Sequence, residues 1–426
     1  MSVSTLYLCY FGLREPLVQT QVLPYLRQLA SAGVSVGLLT FEPEMARAWD
    51  AGALAAERGR LAGEGIEWSA LPYHKRPSAL ATAWDVLAGA WAAARAVRRG
   101  RADVLHARAH VPLAMALLAR LLAPRCRVVF DVRGLMAEEY ADAGVWAEGS
   151  LMFRAVKRLE RAGLRGADQV VVLTERMREW VVREGLAAAE KVTVIPCCVG
   201  LARFGAAGGG AGEDDGAAAS AGAGRFEVVY AGAVTGLYLL EEMAGFFKAL
   251  RARRPEAFFR VLTRAPAERV AATLAGAGLS PEDFKVEAAD PAEVPAHLAR
   301  ARLGLSFRKP TFSQIAASPT KIPEYLAAGL PVVSNAGIGD TDELLERERV
   351  GVVVRGFSSA DYEEAAGRAL ALAEDPSARA RCPEVAGRFF DLAAVGGARY
   401  CEVYRRLGAS LPAAPAAAKP EARGTF

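Results

Sequence analysis

The sequence predicts an α/β protein with two doubly wound domains, each built on a parallel β-sheet with helices on both faces. Short, nearly all-apolar runs alternate with helical patterns, and strands of this kind belong in sheets that are buried on both sides. The length of 426 residues exceeds what one hydrophobic core usually supports, and a low-complexity segment divides the two series of strands. Ligands of such sheets bind beyond the carboxyl ends of the strands.

The N-terminal series contains seven candidate strands. They are Leu6–Tyr10, Val34–Thr40, Ile66–Leu71, Asp103–His106, Arg127–Asp131, Gln169–Thr174 and Lys191–Pro196. Apolar residues at helical spacing predict a helix over Thr20–Ala32, which Gly33 ends. Pro24 is compatible with that helix only if it lies near the first turn, because proline has no N–H to donate.

A second series of strands follows a segment without periodicity. Its candidate strands are Phe226–Ala231, Phe258–Leu262, Phe284–Glu287, Leu303–Phe307, Leu330–Ser334 and Gly351–Arg355. Two helices, near Ser359–Ala373 and Gly396–Leu407, end the pattern. We therefore predict an N-terminal domain over residues 1–200, a low-complexity linker over 201–224, a C-terminal domain over 225–390, a C-terminal helix over 391–410 and a disordered tail over 411–426.

The composition excludes several functional classes. Hydrophobic residues make up 52% of the chain and charged residues 23%, and a formal charge of +4 is too small to indicate nucleic-acid binding. The six cysteines show no metal-ligand spacing, so we expect reduced thiols, no metal site and a cytoplasmic protein. The N-terminus indicates a first strand and not a signal peptide, and the alanine-rich segment Ser78–Val97 is too weakly apolar to predict a membrane span.

The stretch SPTKIPEYLAAGLPVVSNAGIGD, which begins at residue 318, carries the strongest functional signal. Ser318 and Pro319 are suited to begin a helix, so Lys321 falls in a first turn whose free N–H groups already favour a phosphate. Glu324, about one turn along, can accept hydrogen bonds from two vicinal hydroxyls, such as those of ribose. The alternative is that Lys321 and Glu324 form an ordinary surface ion pair at i,i+3. The buried strand and glycine-bracketed loop that follow favour a ligand site.

These residues resemble the donor-binding segment of retaining glycosyltransferases of family 4, the group 1 glycosyl transferases, which have the GT-B fold. Other segments agree with that family in chain order: LYLCYFGLREPLVQTQVLPYLRQLASAG, DVLHARAHVP, VVFDVRGLMAEEY, ADQVVVLTERMREWV and VTVIPCCVGLARF. The resemblance covers about residues 5–408. It implies two Rossmann-like domains facing a cleft, with the C-terminal helix returning to the N-terminal domain.

The resemblance also implies a reaction and roles for individual residues. The expected reaction transfers a sugar from a nucleotide-diphosphate-sugar, with retention at the anomeric carbon and without a cofactor or metal. Lys321 would then bind the diphosphate and Glu324 the ribose, while Gly12 would let the backbone approach the donor phosphate. The remaining predicted donor-binding residues are Arg308, Lys309, Ser318, Gly337, Gly339, Asp340 and Thr341.

The sequence departs from the family pattern at three places. The family has a second glutamate eight positions before Glu324, and Ala316 stands there. The usual arginine and lysine after the first C-terminal strand are absent from AGAVTGLYLLEEM, which shifts phosphate binding to Lys321, Arg308 and Lys309. Gly200 stands where many relatives have aspartate. Nucleotide binding is therefore better supported than the handling of the sugar.

On the acceptor side, the predicted catalytic residues are Asp131, Arg133 and Arg108, which follow or end two strands. Asp131 is equally suited to a turn or cap, and His106 is more typical of a structural histidine. No nucleophile is evident, so we expect same-face substitution in which the departing phosphate helps to deprotonate the acceptor. Cations at the phosphate would stabilise the developing charge.

The chain's partners are expected to be a nucleotide-sugar and a glycan, lipid-linked or small-molecule acceptor, in polysaccharide or glycoconjugate assembly. Four arginines between Arg154 and Arg165 share one helix face, which suits either solvent or the anionic inner face of a membrane. Three other classes stay open. They are a nucleotide-sugar epimerase of the same architecture, a dinucleotide-dependent oxidoreductase, against which the missing G-x-G-x-x-G argues, and an inactive nucleotide-sugar-binding protein.

Overall fold

The computed structural model describes residues 3–74, 76, 78–204 and 225–411. Most of the predicted linker and of the C-terminal tail therefore lies outside the described residues. The chain divides into two compact units. Unit 1 contains the residues up to Ala137, Ala147–Pro196 and those from Leu392 onward, and unit 2 contains Glu138–Trp146 and Cys197–Asp391. The short segment Glu138–Trp146 thus belongs with unit 2 although it lies within the first predicted domain.

Unit 1 is built on seven strands. They are β1 (Ser4–Leu8), β2 (Ser35–Glu42), β3 (Ile66–Pro72), β4 (Val104–Arg108), β5 (Arg127–Asp131), β6 (Gln169–Val172) and β7 (Val192–Val194). All pair in parallel, in the order β3-β2-β1-β4-β5-β6-β7. The order reverses between β1 and β4, as it does in a doubly wound sheet.

Helices cover this sheet on both faces. The helices before residue 197 are α1 (Pro16–Gln21), α2 (Leu23–Ser31), α3 (Met45–Ala48), α4 (Ala51–Gly63), α5 (Ser78–Arg98), α6 (His110–Leu122), α7 (Met136–Asp142), α8 (Leu151–Gly166) and α9 (Glu175–Arg183). Because crossover connections between parallel strands are right-handed, α2 and α4 cover one face of the sheet. The helices α5, α6 and α8 cover the other face, where α6 packs against both of its neighbours.

The prediction of one continuous helix over Thr20–Ala32 is wrong. The structure has two helices, α1 and α2, which meet at Val22 with φ −123° and ψ −67°. Pro24 explains the break, because it supplies no N–H and is accommodated in the first turn of the second helix. Gly33, with φ +98°, follows the end of α2 as predicted.

Unit 2 repeats the architecture with six parallel strands. They are β8 (Glu227–Ala231), β9 (Phe258–Leu262), β10 (Phe284–Glu287), β11 (Leu303–Ser306), β12 (Val332–Asn335) and β13 (Gly351–Val354), in the order β10-β9-β8-β11-β12-β13. Its helices are α10 (Leu240–Arg253), α11 (Ala267–Gly276), α12 (Val294–Arg300), α13 (Lys321–Ala327), α14 (Thr341–Arg347), α15 (Ser359–Glu374) and α16 (Pro376–Phe390). The prediction of two doubly wound α/β domains is confirmed. The sequence pattern missed α16, which packs against α13.

The chain ends back in unit 1. After a π-helical turn over Leu392–Gly397, α17 (Ala398–Arg406) contacts α2 and β7. Tyr404 of this helix is fully buried, and its hydroxyl lies 2.8 Å from Thr5 Oγ1 in β1. The predicted return of the C-terminal helix to the N-terminal domain is therefore confirmed.

Close packing between β11 and α13 gives a first prediction. A Cβ added to Gly304 would lie 2.3 Å from Cδ2 of Tyr325, which is fully buried and whose hydroxyl accepts a hydrogen bond from the N–H of Ala231. Gly304→Ala is therefore expected to lower the free energy of unfolding by about 1–3 kcal/mol, measured by urea denaturation. The control Gly59→Ala lies in α4 with nothing within 4 Å of the added Cβ, and should raise that free energy by about 0.5–1 kcal/mol. Equal unfolding midpoints for the two variants would contradict this description of the packing.

Candidate functional site

The helix that carries the predicted donor residues begins later than expected. It starts at Lys321 with Thr320 as its N-cap, so the assignment of Ser318 as cap and Pro319 as first helical residue is wrong. The reason is a competing contact: the hydroxyl of Ser318 accepts a hydrogen bond from the N–H of Cys197 at 3.1 Å. Lys321 nevertheless lies in the first turn, as the spacing predicts.

Lys321 lies in an aromatic cage. The residue is only 5% exposed, and its ammonium nitrogen lies 4.5 Å from the ring centre of Tyr230 and 4.1 Å from that of Tyr238. It donates to the hydroxyl of Tyr230 at 3.2 Å. Gly232, at φ +140°, leaves room for it, because a Cβ there would lie 3.2 Å from the ammonium nitrogen. The cage holds a buried lysine with few hydrogen-bond acceptors, and an anionic ligand would supply acceptors and favour its charged form.

Burial and a neighbouring cation shift the pKa of Lys321. Burial lowers that pKa well below the usual lysine value, and the charge of Arg308 lowers it further, while Glu324 opposes the shift. Glu324 is partly buried, and this burial raises its pKa. The charges of Arg203 and Lys321 oppose the rise. Neither group is a solvated surface charge, so the alternative of an ordinary surface ion pair does not describe Lys321 and Glu324.

Arg308 also contacts Tyr238. Its guanidinium donates to Gln314 Oε1 at 2.6 Å and to the hydroxyl of Tyr238 at 3.2 Å, and its Cζ lies 4.9 Å from the Tyr238 ring centre. The backbone N–H of Arg308 donates to Asn335 Oδ1 at 2.7 Å, which fixes the start of the loop after β11. Tyr238 thus contacts the two cations Lys321 and Arg308, and the structure brings together these two predicted phosphate-binding residues.

Lys309 points elsewhere. Its ammonium donates to the backbone carbonyl of Asp142 at 3.0 Å, and Thr311 donates to the carboxylate of the same residue at 2.6 Å. These bonds tie the segment Glu138–Trp146 to unit 2, which explains its membership of that unit. The predicted contact of Lys309 with the diphosphate stays a prediction. It has less support than that of Lys321, because the ammonium of Lys309 is already bonded to a backbone carbonyl.

The glycine loop after β12 is held by backbone contacts. Gly337 and Gly339 have φ of +88° and +49°, a region that favours glycine. The N–H of Gly337 donates to Asp342 at 2.8 Å, and that of Gly339 donates to the carbonyl of Gln314 at 2.8 Å. Asp340 is the N-cap of α14 by position, but its side chain makes no capping hydrogen bond. Thr341 is buried at the first position of that helix.

Ala316, where the family has a carboxylate, is fully buried. It ends a short 3₁₀ helix, Phe312–Ala316, two residues after Gln314. A carboxylate at this position would need a partner to offset its burial.

In unit 1, Gly12 follows β1 and packs closely against the chain after β2. A Cβ there would lie 2.8 Å from Cδ of Pro43 and 3.1 Å from the carboxylate of Glu42. Glu42 accepts hydrogen bonds from the N–H of Leu13 at 2.9 Å and from the indole of Trp49 at 3.1 Å. Packing within unit 1 therefore already requires glycine, and the predicted approach of this backbone to a phosphate stays a prediction.

The acceptor-side candidates form a buried cluster at the carboxyl ends of β4 and β5. Asp131 is fully buried, and its carboxylate accepts a hydrogen bond from Tyr400 of α17 at 3.0 Å. Arg133 and Arg108 approach it at 3.5 Å and 3.6 Å. Burial alone would raise the pKa of Asp131, but these two guanidinium groups and the nearby His106 hold it well below its usual range. Asp131 is thus ionised at neutral pH.

The members of this cluster differ in their access to solvent. Arg108 is 3% exposed and donates to the hydroxyl of Tyr7 and to the carbonyl of Gln21, both at 3.3 Å. The side chain of Arg133 is 11% exposed. His106 is fully buried against Tyr404, and burial lowers its pKa, which agrees with its reading as a structural histidine. Arg133 is the member best suited to touch a ligand, with Asp131 holding it in place.

Comparison with known proteins identifies the N-terminal part of the chain. Residues 18–198 match the family described as the glycosyl transferase 4-like domain. The predicted resemblance to family 4 glycosyltransferases is confirmed. No protein among curated sequences is similar enough to match.

Solved structures share the fold of this chain over nearly its whole length. Sucrose-phosphate synthase from Thermosynechococcus elongatus is 16% identical, with a TM-score of 0.70 over 96% of this chain and 100% of its own. A glycosyltransferase from Rickettsia africae is 13% identical, with a TM-score of 0.66 over 96% and 99%. HepE from Anabaena, solved with UDP and glucose, is 16% identical, with a TM-score of 0.63 over 96% and 100%. At these identities the likeness establishes the fold, which is GT-B.

Sequence reasoning missed several residues around the candidate donor site. Tyr230, Tyr238, Gln314 and Asn335 surround its two cations, and none was predicted. The tyrosines are the detectable signal, since AGAVTGLY has a tyrosine where the family's phosphate-binding cations are missing. Among the described residues, no group of three or more His, Cys, Asp or Glu side chains could hold a metal ion, and no helix is long and apolar enough to cross a bilayer.

Proposed function

We propose that this protein is a retaining glycosyltransferase that takes its sugar from a nucleotide-diphosphate-sugar bound by unit 2. One observation carries the proposal: Lys321 is a buried lysine in the cage of Tyr230 and Tyr238, and Arg308 also contacts Tyr238. A buried lysine beside a partly exposed arginine suits a doubly charged diphosphate. HepE, which shares the fold, has been solved with UDP and with UDP-glucose, which supports this class of donor.

We infer the remaining donor contacts from where the residues lie relative to Lys321. Glu324 lies one turn after Lys321, and its carboxylate would accept hydrogen bonds from the two ribose hydroxyls. The loop over residues 337–341 would line the sugar with backbone N–H groups and the Thr341 hydroxyl. Since Ala316 supplies no carboxylate, we expect sugar selection to rest on this loop.

The proposed chemistry needs stabilisation of separated charge more than a nucleophile. As the bond to the sugar breaks, positive charge develops on the ring and negative charge on the diphosphate. Lys321 and Arg308 would stabilise the diphosphate directly, and their low exposure strengthens that interaction. The departing phosphate would then help to deprotonate the acceptor on the same face, which retains the configuration. This scheme requires no metal, so we expect activity to survive chelation.

In unit 1, the acceptor would be bound by Arg133, with Asp131 and Arg108 as positioning residues. Asp131 is too buried to reach a substrate, and its negative charge instead fixes the two guanidinium groups. A glycan or lipid-linked acceptor fits this site, and a cytoplasmic enzyme of polysaccharide or glycoconjugate assembly would use it. The exposed arginines of α8, among them Arg154 and Arg158, suit contact with the inner face of a membrane.

Turnover of a panel of nucleotide-sugars tests the proposal. We expect release of a nucleoside diphosphate from one donor, and NMR of the product should show the anomeric configuration of that donor. Inversion would contradict the mechanism. Binding of a donor without hydrolysis or transfer would instead favour an inactive nucleotide-sugar-binding protein, for which Ala316 is the motivating residue. Interconversion of the donor sugar would indicate an epimerase.

The lowered pKa of Lys321 predicts that nucleotide binding takes up a proton. In the free protein burial favours the neutral amine, whereas a bound diphosphate favours the ammonium. At pH values above the lowered pKa, binding should therefore take up protons and weaken as pH rises. Calorimetry in two buffers of different ionisation enthalpy measures this uptake. Release of protons, or none exchanged at any pH between 7 and about 10, would contradict it.

A further inference from the structure

The outward face of α5 in unit 1 carries four large apolar side chains, which we call the apolar stripe. Leu80, Trp84, Leu87 and Trp91 follow one another at intervals of four, three and four residues, which places them on one helix face. Their exposed fractions are 73%, 62%, 59% and 58%. From the helical rise, the stripe is about 16 Å long. Single exposed apolar residues are ordinary, but a continuous row with two tryptophans marks an interaction surface.

The buried face of α5 has the opposite composition. Small residues, including Ala81, Gly89, Ala93 and Ala94, face the interior. A Cβ added to Gly89 would lie 2.5 Å from Sδ of Met115, so close packing on α6 requires a small residue there. A helix at the surface of a globular protein normally directs its large apolar residues inward. In α5 these residues face outward, so the apolar stripe is not part of the core of unit 1.

The charges of α5 are also asymmetric. Arg95, Arg98 and Arg99 are exposed at its C-terminal end. The acidic residue of α5, Asp85, is buried and accepts a hydrogen bond from the hydroxyl of Tyr10 at 2.8 Å. Arg98 donates to the carbonyl of Leu122 at 2.8 Å, which brings the C-terminal end of α6 beside this basic end. The outward face of α5 therefore combines apolar surface with positive charge alone.

We propose that α5 docks the protein on an anionic lipid bilayer, with the apolar stripe at headgroup level and the three arginines against the phosphates. Tryptophan concentrates at membrane interfaces, and amphipathic basic helices lie in that plane. The positive end of α5 fits an anionic surface better than a second copy of this chain, which carries the same charge. The inference goes beyond the proposed function, because it assigns a new surface and holds whatever the donor is.

Vesicle flotation of the full chain tests the proposal. The wild-type protein should float with vesicles of equimolar phosphatidylcholine and phosphatidylglycerol, and bind pure phosphatidylcholine far more weakly. Trp84→Gln combined with Trp91→Gln should reduce binding to the anionic vesicles about tenfold or more. The matched control is Leu17→Gln, an exposed apolar residue of α1 with 39% exposure, and it should bind as the wild type does.

A second pair of variants separates α5 from the basic face of α8. Arg95→Glu with Arg99→Glu should reduce binding while leaving the bond of Arg98 to Leu122 intact. Arg154→Glu with Arg158→Glu should reduce it less. The proposal is overturned if the tryptophan variant binds as the wild type does, or if only the α8 variant loses binding. It is also overturned if sedimentation velocity shows a dimer that the tryptophan variant dissociates, because a second copy would then cover the stripe.

Discussion

Lys321→Met is expected to lower kcat/KM for the donor about 1,000-fold while leaving the protein at least as stable as the wild type. The ammonium would be lost from both the ground state and the charge-separated transition state, and removal of one such group costs roughly 100- to 1,000-fold in catalysis. Stability should not fall, because burial of the lysine is itself unfavourable and methionine fits an apolar, aromatic cage. Steady-state kinetics and urea denaturation measure the two effects.

Lys309→Met is the matched control for this variant. Lys309 is also a lysine of the candidate site, but its ammonium donates to the carbonyl of Asp142 and is less buried. We expect less than about a tenfold change in kcat/KM, since a partly exposed cation contributes less than a desolvated one. Equal losses in the two variants would contradict the special role of the aromatic cage. A loss of activity in Lys321→Met that follows a loss of folding would contradict it too.

Asp131→Ala is expected to have the largest effect on stability, a loss of about 3–5 kcal/mol in the free energy of unfolding. The change leaves Arg108 and the mostly buried Arg133 without their carboxylate, and removes the acceptor for Tyr400 of α17. The control Asp103→Ala removes an exposed carboxylate that accepts from Ser4, and should cost less than about 1 kcal/mol. Urea denaturation at neutral pH compares the two variants. A small effect of Asp131→Ala would show that the cluster does not depend on its anion.

The same carboxylate gives a pH dependence with a definite sign. The pKa of Asp131 in the folded state is below its unfolded value of about 3.9, so the folded protein holds the charged form more strongly. Its stabilisation is therefore complete above the unfolded pKa and is lost as pH falls from there toward the folded pKa. The difference in the free energy of unfolding between the wild type and Asp131→Asn should be constant from pH 5 to 8. It should become smaller only below about pH 4.

The fold could be predicted because its signals are local. Apolar runs marked the strands of both sheets, and the spacing of Lys321 and Glu324 placed both in one short helix. The exact start of that helix could not be predicted, since Ser318 is held by Cys197, more than a hundred residues away. The break between α1 and α2 followed from Pro24, whose local effect was underestimated.

The surroundings of the candidate site depended on contacts that no local pattern reveals. Tyr230 and Tyr238 lie more than 80 residues before Lys321 in the chain. Tyr230 belongs to β8, which pairs in parallel with β11, and Tyr238 forms an antiparallel bridge with Arg308. Asp131 illustrates the converse. Its position after a strand favoured an open site, but Tyr400 of the returning helix buries it. The motif predicts ligand-binding residues, but it did not predict the protein side chains that surround them.

The central claim is that unit 2 binds a nucleotide-diphosphate-sugar. The proposed contact of Glu324 with the ribose tests it most directly, because that contact joins one protein group to one ligand group. Calorimetry should first identify which of uridine, guanosine and adenosine diphosphate binds. The same nucleotide without its 2′- and 3′-hydroxyls should then bind the wild type about tenfold or more weakly, since a buried carboxylate is left without donors. In Glu324→Gln the two nucleotides should bind with similar affinity. An equal penalty for the missing hydroxyls in both proteins, or no binding of any of the three diphosphates, would contradict the account.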